Sequence, residues 1–392
     1  MIRTHESALE EEARRLTTDY RTSRARFRAA AFAAGCDIES LPIERRGPDD
    51  QVLATDIAIR GGDGSAPDGR TLIVSSGLHG VEGGFGSAVQ SAALERIDSM
   101  PSLRAIRTVW IHAANPFGFA LGRRFDQENI DLNRNFLLAG DPYDGVPDGY
   151  DRLAPLLIPE RPAGRFDLFG LRMAGEVIRS GFAAVANASV GGQYRDARGL
   201  FFGGFSPSDW HRRCRERMRD WIGPTELAIH LDLHTGFGPW GVGQLLLDAT
   251  VERSEVERWR ARFGSFPVIT SERVEQSGGE KVAAVYTTRG DWGRWSLEER
   301  LADDYRYACF EFGTYRPLKV LAGLRAENAA FHHAETTSPA ARRSRRRLEE
   351  LFVPASLDWR RRVLGQGLEG IALGAAQAAD SREPIMPPRP LP

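Results

Sequence analysis

Short apolar runs of strand length alternate along this chain with longer stretches of helical periodicity, and that alternation leaves few architectures open. Val52 to Ile59, Thr71 to Val74, Arg107 to His112, Leu227 to Leu233, Gln244 to Leu247 and Tyr307 to Phe312 read as strands. The turn-rich Gly61-Gly62-Asp63-Gly64 joins the first two. Between strands, Phe85, Val89, Ala92 and Ile97 mark a helix, and Phe166 to Val185 and Ser208 to Trp221 are predicted helical. An opening amphipathic helix places Leu9, Ala13, Leu16 and Tyr20 on one face and ends near Gly35. Strands interleaved with helices bury a sheet between helical layers, so the expected fold is α/β. For 392 residues, we expect one large domain over 51–380, preceded by a helical extension, 1–50, packed on the core. Residues 381–392 are expected to form a Pro-rich tail, because clustered prolines propagate neither a helix nor a central strand.

Charge narrows the partners. The 52 Lys and Arg against 53 Asp and Glu leave a formal net charge of −1, so no global field recruits nucleic acid or an anionic membrane. No apolar stretch approaches the roughly 18 residues of a membrane span, and the N-terminus carries no secretory pattern, so a cytoplasmic protein is expected. Cys36, Cys214 and Cys309 are widely separated and form no Cys-x-x-Cys pair, which predicts isolated reduced thiols. The basic run Arg342-Arg343-Ser344-Arg345-Arg346-Arg347 precedes Leu348-Glu349-Glu350-Leu351 and reads as a solvated helix face. Oligomeric state is not legible in these features.

The chemistry-bearing residues begin at Ser75-Ser76-Gly77-Leu78-His79-Gly80-Val81-Glu82-Gly83-Gly84, where a strand ends, glycines turn the backbone and a helix starts. An imidazole and a carboxylate three residues apart at such a junction can take adjacent corners of a tetrahedral zinc ion. A second His-x-x-Glu match, His332-His333-Ala334-Glu335, lacks the preceding strand and glycine turn and reads as a solvent-facing cluster. Leu231-Asp232-Leu233 delivers His234 to a strand end at Thr235-Gly236, where open α/β sheets place ligands. His230, deeper on the same strand face, is either the alternative third corner or a packed core histidine. The Arg- and Asn-dense stretch from Asn115 through Arg123 and Arg124 to Asp131-Leu132-Asn133-Arg134-Asn135 suits carboxylate recognition, or else forms a solvated loop. Glu311 stands alone as an acid in the apolar strand Cys309 to Phe312, where desolvation favours a raised pKa suited to general-base work.

In this order the motifs resemble the zinc carboxypeptidase superfamily, which includes the succinylglutamate desuccinylase and aspartoacylase branch, and in particular a bacterial group of it. The resemblance spans roughly Leu72 to Tyr315. It implies a mixed, mostly parallel central sheet flanked by helices, with zinc held by His79, Glu82 and His234 and with Asp131 orienting His79. By the same resemblance Arg124, or its neighbour Arg123, polarises the scissile carbonyl, Asn133 and Arg134 bind the substrate's carboxylate, and Glu311 is the catalytic glutamate. Tyr286 is similar to the mobile tyrosine that closes over substrate in the peptidases. The short spacing from Arg124 to Arg134 departs from the digestive enzymes and leaves the choice between Arg123 and Arg124 open. His234-Thr235-Gly236 and Glu311-Phe312-Gly313 look more like the deacylase branch. A glycine-rich loop from Gly191 through Tyr194 to Gly204 has no counterpart in the digestive enzymes and is expected to line the pocket.

The function so implied is a zinc-dependent hydrolase that uses an activated water to cleave an amide next to a free carboxylate, of carboxypeptidase type. Deacylation of N-acyl amino acids is the alternative, and an inactive zinc-site binding module is the non-enzyme alternative. The expected substrate is a small peptide or an N-acyl amino acid, with no nucleic-acid or membrane partner. A serine hydrolase is disfavoured, because no Gly-x-Ser-x-Gly element is present.

Overall fold

The apolar runs assemble into one eight-stranded sheet in a computed structural model that describes residues 2–162, 164, 167–270 and 288–386. Its strands are β1 (Asp37–Pro42), β2 (Ala54–Arg60), β3 (Arg70–Ser76), β4 (Arg107–His112), β5 (Leu227–Thr235), β6 (Gly243–Leu246), β7 (Val268–Ile269) and β8 (Asp304–Phe312). They lie in the order β1-β2-β4-β3-β5-β8-β6-β7. The neighbours β4, β3, β5 and β8 run parallel, whereas β2, β1 and β6 pair antiparallel to their inner neighbours. The fold is therefore α/β, a mixed sheet flanked by helices. β3 and β5 are buried along their whole lengths, as strands covered on both faces must be.

Successive strand residues point to opposite faces, and the two faces are covered differently. On one, helix Leu357–Ala379 packs against β3, β5 and helix Gly83–Leu94, close enough that a Cβ on Gly374 would sit 3.2 Å from Leu231. On the other, His230 meets the Trp292 ring at 5.2 Å, within an aromatic layer that includes Trp210 stacked on Trp221.

Several elements differ from the sequence reading. The single opening helix is two, Ile2–Arg15 and Tyr20–Ala33. Thr17 and Thr18 are β-branched, and the Asp19 carboxylate caps the second helix by accepting from the Thr22 N–H at 2.8 Å. Leu16 and Tyr20 are nevertheless both buried. β1 was invisible because an edge strand needs only one covered side, and its Asp37 and Glu39 break the apolar pattern. Residues 1–50 thus contribute an edge strand as well as helices. Gly181, at φ +83°, divides the predicted helix Phe166 to Val185 into Phe169–Ser180 and Phe182–Val190; Phe166 itself lies outside the described residues. Within the Pro-rich segment, Glu383 is buried and bonded to Arg306 and Arg262, and 387–392 lie outside the described residues. The basic run sits on helix Pro339–Phe352 with Arg342, Arg343, Arg346 and Arg347 exposed. Among the described residues no helix is long and apolar enough to cross a membrane.

The turn after β3 is where the fold touches its chemistry. A Cβ on Gly80 would lie 2.2 Å from the Gly118 carbonyl carbon and 2.3 Å from the Phe119 nitrogen, and Val81 N–H donates to Arg123 O at 2.7 Å. The obstacle is backbone, which cannot swing aside as a side chain can. Gly80→Ala is expected to destabilise the protein by about 3 kcal/mol, read as a lower urea midpoint at unchanged slope.

Candidate metal centre

The parallel strands end on one side, and their carboxyl ends deliver the titratable groups. His79 and Glu82 follow β3, His234 ends β5, and Glu311 is the direct register partner of His234 on β8. The segment after β4 supplies Arg124, Asp131, Asn133 and Arg134. This is the position at which open α/β sheets bind ligands.

His79, Glu82 and His234 are all buried, with their ligating atoms drawn together. His79 Nδ1 is 2.9 Å from Glu82 Oε1, His234 Nδ1 is 3.2 Å from Glu82 Oε2, and the two Nδ1 atoms are 3.1 Å apart. Donors around a tetrahedral zinc stand roughly 3.3 Å apart, given metal–nitrogen bonds of about 2.0–2.1 Å. Two imidazoles and a carboxylate at this spacing fit a divalent ion of the zinc type. Burial alone would raise the Glu82 pKa, but His79 and His234 outweigh it and hold it down at about 2, so the group is an anion ready to ligate.

Each imidazole turns its other nitrogen toward a carboxylate. His234 Nε2 lies 2.6 Å from Asp232 Oδ2, and Asp232 in turn accepts from Ser75 Oγ and Tyr307 Oη at 2.6 and 2.9 Å. Burial opposes ionisation of Asp232, yet the adjoining His234 lowers its pKa to about 2. His79 Nε2 is buried, makes no hydrogen bond within normal geometry and points at Asp131 Oδ1, 3.5 Å away. Asp131 also accepts from Arg124 Nε at 2.8 Å, and the neighbouring Arg124 holds its carboxyl well below the usual range despite full burial. The role of Asp232 was missed from sequence, although its place two residues before His234 on one strand face was the available signal.

Of the two histidines weighed on β5, His230 is the core residue. It bonds Ser75 Oγ and Tyr305 Oη at 2.7 and 2.8 Å, and burial lowers its pKa to about 4. The adjacent arginines separate equally clearly. Arg123 is fully buried, bonded to Glu327, Asn129 and Asn328 and laid over the Phe331 ring, whereas Arg124 lines the cavity. The second His-x-x-Glu match ends helix Pro317–His333 and joins no metal-ready group among the described residues.

The cavity measures about 660 Å³, and His79, Glu82, Arg124, Asn133, Arg134 and Glu311 border it. Arg134 is buried and donates to Val190 O and Asn133 O, leaving the remaining N–H groups of its fork for an anion. Asn133 accepts from Trp292 N–H at 3.0 Å. Glu311 Oε1 accepts from Phe237 N–H at 2.9 Å, and Cys309 Sγ, on the same face of β8, stands 3.8 Å from its other oxygen. Burial first, then the charge of Glu82, pushes the Glu311 pKa up to about 8. The glycine-rich loop does less lining than its composition suggested: Phe201 borders the cavity, while Tyr194 lies behind it and donates to Arg134 O at 2.7 Å. Tyr286 lies outside the described residues.

His234→Ala is expected to abolish tight binding of one divalent ion. Asp232→Asn, which keeps the shape but weakens the hold on Nε2, should weaken it roughly 10- to 100-fold. Titration of the metal-stripped protein with zinc checks both, and an unchanged affinity in Asp232→Asn would remove that residue from the site.

No curated protein matches the chain. Among solved structures it is similar to a candidate metallopeptidase of Shewanella amazonensis SB2B, at 14% identity over 86% of this chain and 94% of that one, with a TM-score of 0.43. It is also similar to carboxypeptidase A of Helicoverpa armigera, at 12% identity over 83% and 73%, TM-score 0.42. Succinylglutamate desuccinylase of Chromobacterium violaceum, at 14% identity over 80% and 73%, has a TM-score of 0.36. The family described as "Protein of unknown function (DUF2817)" matches residues 16–366, and the chain belongs to that family.

Proposed function

We propose that this chain is a zinc-dependent hydrolase of an amide bond that lies next to a free carboxylate. The observation that carries the reading is the convergence of a His79–Glu82–His234 donor set and a separate buried acid, Glu311, on one cavity that also holds Arg124 and Arg134. A structural ion cluster needs neither an open space beside it nor an extra carboxylate.

When bound, the metal supplies Lewis acidity that makes a water nucleophilic near neutral pH. Glu311 takes the proton from that water as it attacks the amide carbon. The raised affinity of Glu311 for a proton, which comes from burial and the nearby Glu82 charge, suits it to hold that proton and then pass it to the leaving nitrogen. Arg124 donates to the oxyanion that develops on the carbonyl oxygen, and Asp131 fixes its guanidinium in place through Nε. Asn133 and Arg134 grip the substrate carboxylate and so set which amide reaches Glu311. Carboxypeptidase-type cleavage and deacylation share these steps and differ in what lies on the acyl side of the bond.

Two measurements test the reading. Glu311→Gln should keep the fold and the metal yet lose turnover by about 10²- to 10⁴-fold; a near-normal rate would place the base elsewhere. Amidating the substrate carboxylate should lower kcat/KM by about two orders of magnitude, and Arg134→Ala should cripple the free acid while barely changing the amide. Equal losses on both substrates would make Arg134 scaffold only.

A further inference from the structure

The cavity is larger than the chemistry needs, and its two ends differ. The charged groups come from the strand ends, the segments that follow them and the start of helix Trp292–Glu298, with Asp291 and Arg294, whereas the wall built by helices Phe169–Ser180, Phe182–Val190 and Pro317–His333 contributes none. From these helices Met173, Val177, Val185, Leu321 and Leu324 line the space, and among their described lining residues Ser189 alone has a polar side chain. The apolar wall continues outward. Ile178, Phe182 and Leu318 line the cavity and are 88%, 50% and 43% exposed. Leu171, 72% exposed, shares the helical stripe of Ala174 and Ile178. Contiguous exposed apolar surface running into a cleft marks the place where an apolar ligand enters.

Resting on the proposed function, we infer that the acyl side of the scissile amide is a medium- or long-chain aliphatic group, which makes the chain a deacylase of N-(fatty acyl) amino acids. A peptide extending along this wall would bring an N–H and a C=O with every residue, and each needs a partner once water is excluded. The wall offers few, because backbone groups within the helices are bonded there and, Ser189 apart, the side chains these helices contribute are hydrocarbon. An aliphatic chain asks for no hydrogen bonds and gains from every methylene buried. The carboxylate of the amino acid then lies toward Arg134 and the acyl chain runs toward Phe182 and the surface.

The test uses the zinc-loaded protein with N-acetyl, N-octanoyl and N-lauroyl derivatives of the same amino acids beside blocked dipeptides, followed by release of free amine. The octanoyl form should exceed the acetyl form in kcat/KM by at least about thirtyfold, well within what six buried methylenes supply. Phe182→Ser and Ile178→Ser, both at exposed positions, should shrink that ratio to a few-fold, and Phe182→Leu should restore it. Acetyl substrates or blocked dipeptides cleaved in preference would overturn the acyl-chain inference and leave the amide-hydrolase reading standing. Failure of every amide to turn over would overturn that reading instead. Binding of laurate, measured by calorimetry, then judges the inference without turnover: it should bind the wild-type protein and bind Phe182→Ser about tenfold more weakly, and no binding to the wild type would overturn it.

Discussion

Charge buried at the ends of parallel strands must be neutralised locally, and most of the site's architecture answers that requirement. His79, Glu82, Asp131, Asp232, His234 and Glu311 are all buried, in an interior where an unpaired ion costs several kcal/mol. The solution is a chain of contacts from Arg124 through Asp131 toward His79, on to Glu82 and His234, and back through Asp232 into the core hydroxyls of Ser75 and Tyr307. The order of this chain aims both Nδ1 atoms at one point. A histidine with its outer nitrogen held by a carboxylate keeps its ring orientation and its basicity, which is what a metal ligand requires.

Glu311 stands apart from that compensation. Its partners are the Phe237 N–H and the weak Cys309 thiol, and no cation among the described residues forms an ion pair with it, so burial and Glu82 dominate and its affinity for a proton rises. One cavity thus holds two carboxylates shifted in opposite directions. Glu82, flanked by imidazoles, is held as an anion, and Glu311, on β8 opposite His234, has its affinity for a proton raised.

The cavity joins two kinds of surface that fold by different rules. Its polar floor is made of strand ends and tight turns, whose positions are set by sheet register. Its far wall is made of helices Phe169–Ser180 and Phe182–Val190, inserted between β4 and β5 in sequence. The glycine-rich loop that follows braces the junction. Tyr194 donates to the Arg134 carbonyl and Gly203 O accepts from the Asn135 side-chain amide, so a segment expected to line the pocket lines it through Phe201 and otherwise braces the chain that carries Arg134.

Much of this was legible in the residues, because periodicity and strand-end glycines are local properties. The α/β alternation, the β3 turn carrying His79 and Glu82, His234 at the mouth of β5 and Glu311 within β8 could all be read from neighbours in the chain. Elements governed by distant contacts could not. β1 exists because β2 offers it an unpaired edge, and Asp19 caps a second helix after the first has stopped at Arg15, within a run of otherwise helical pattern. Arg123 and Arg124 are indistinguishable in sequence, yet Glu327 and Asn328, more than 200 positions away, claim the first, and Asp131 directs the second to the cavity. The sequence by itself determined which groups could do chemistry, since residue type and local turn are written in it. Only the tertiary structure decided which of them meet, because burial makes each charged side chain seek a partner wherever the fold supplies one.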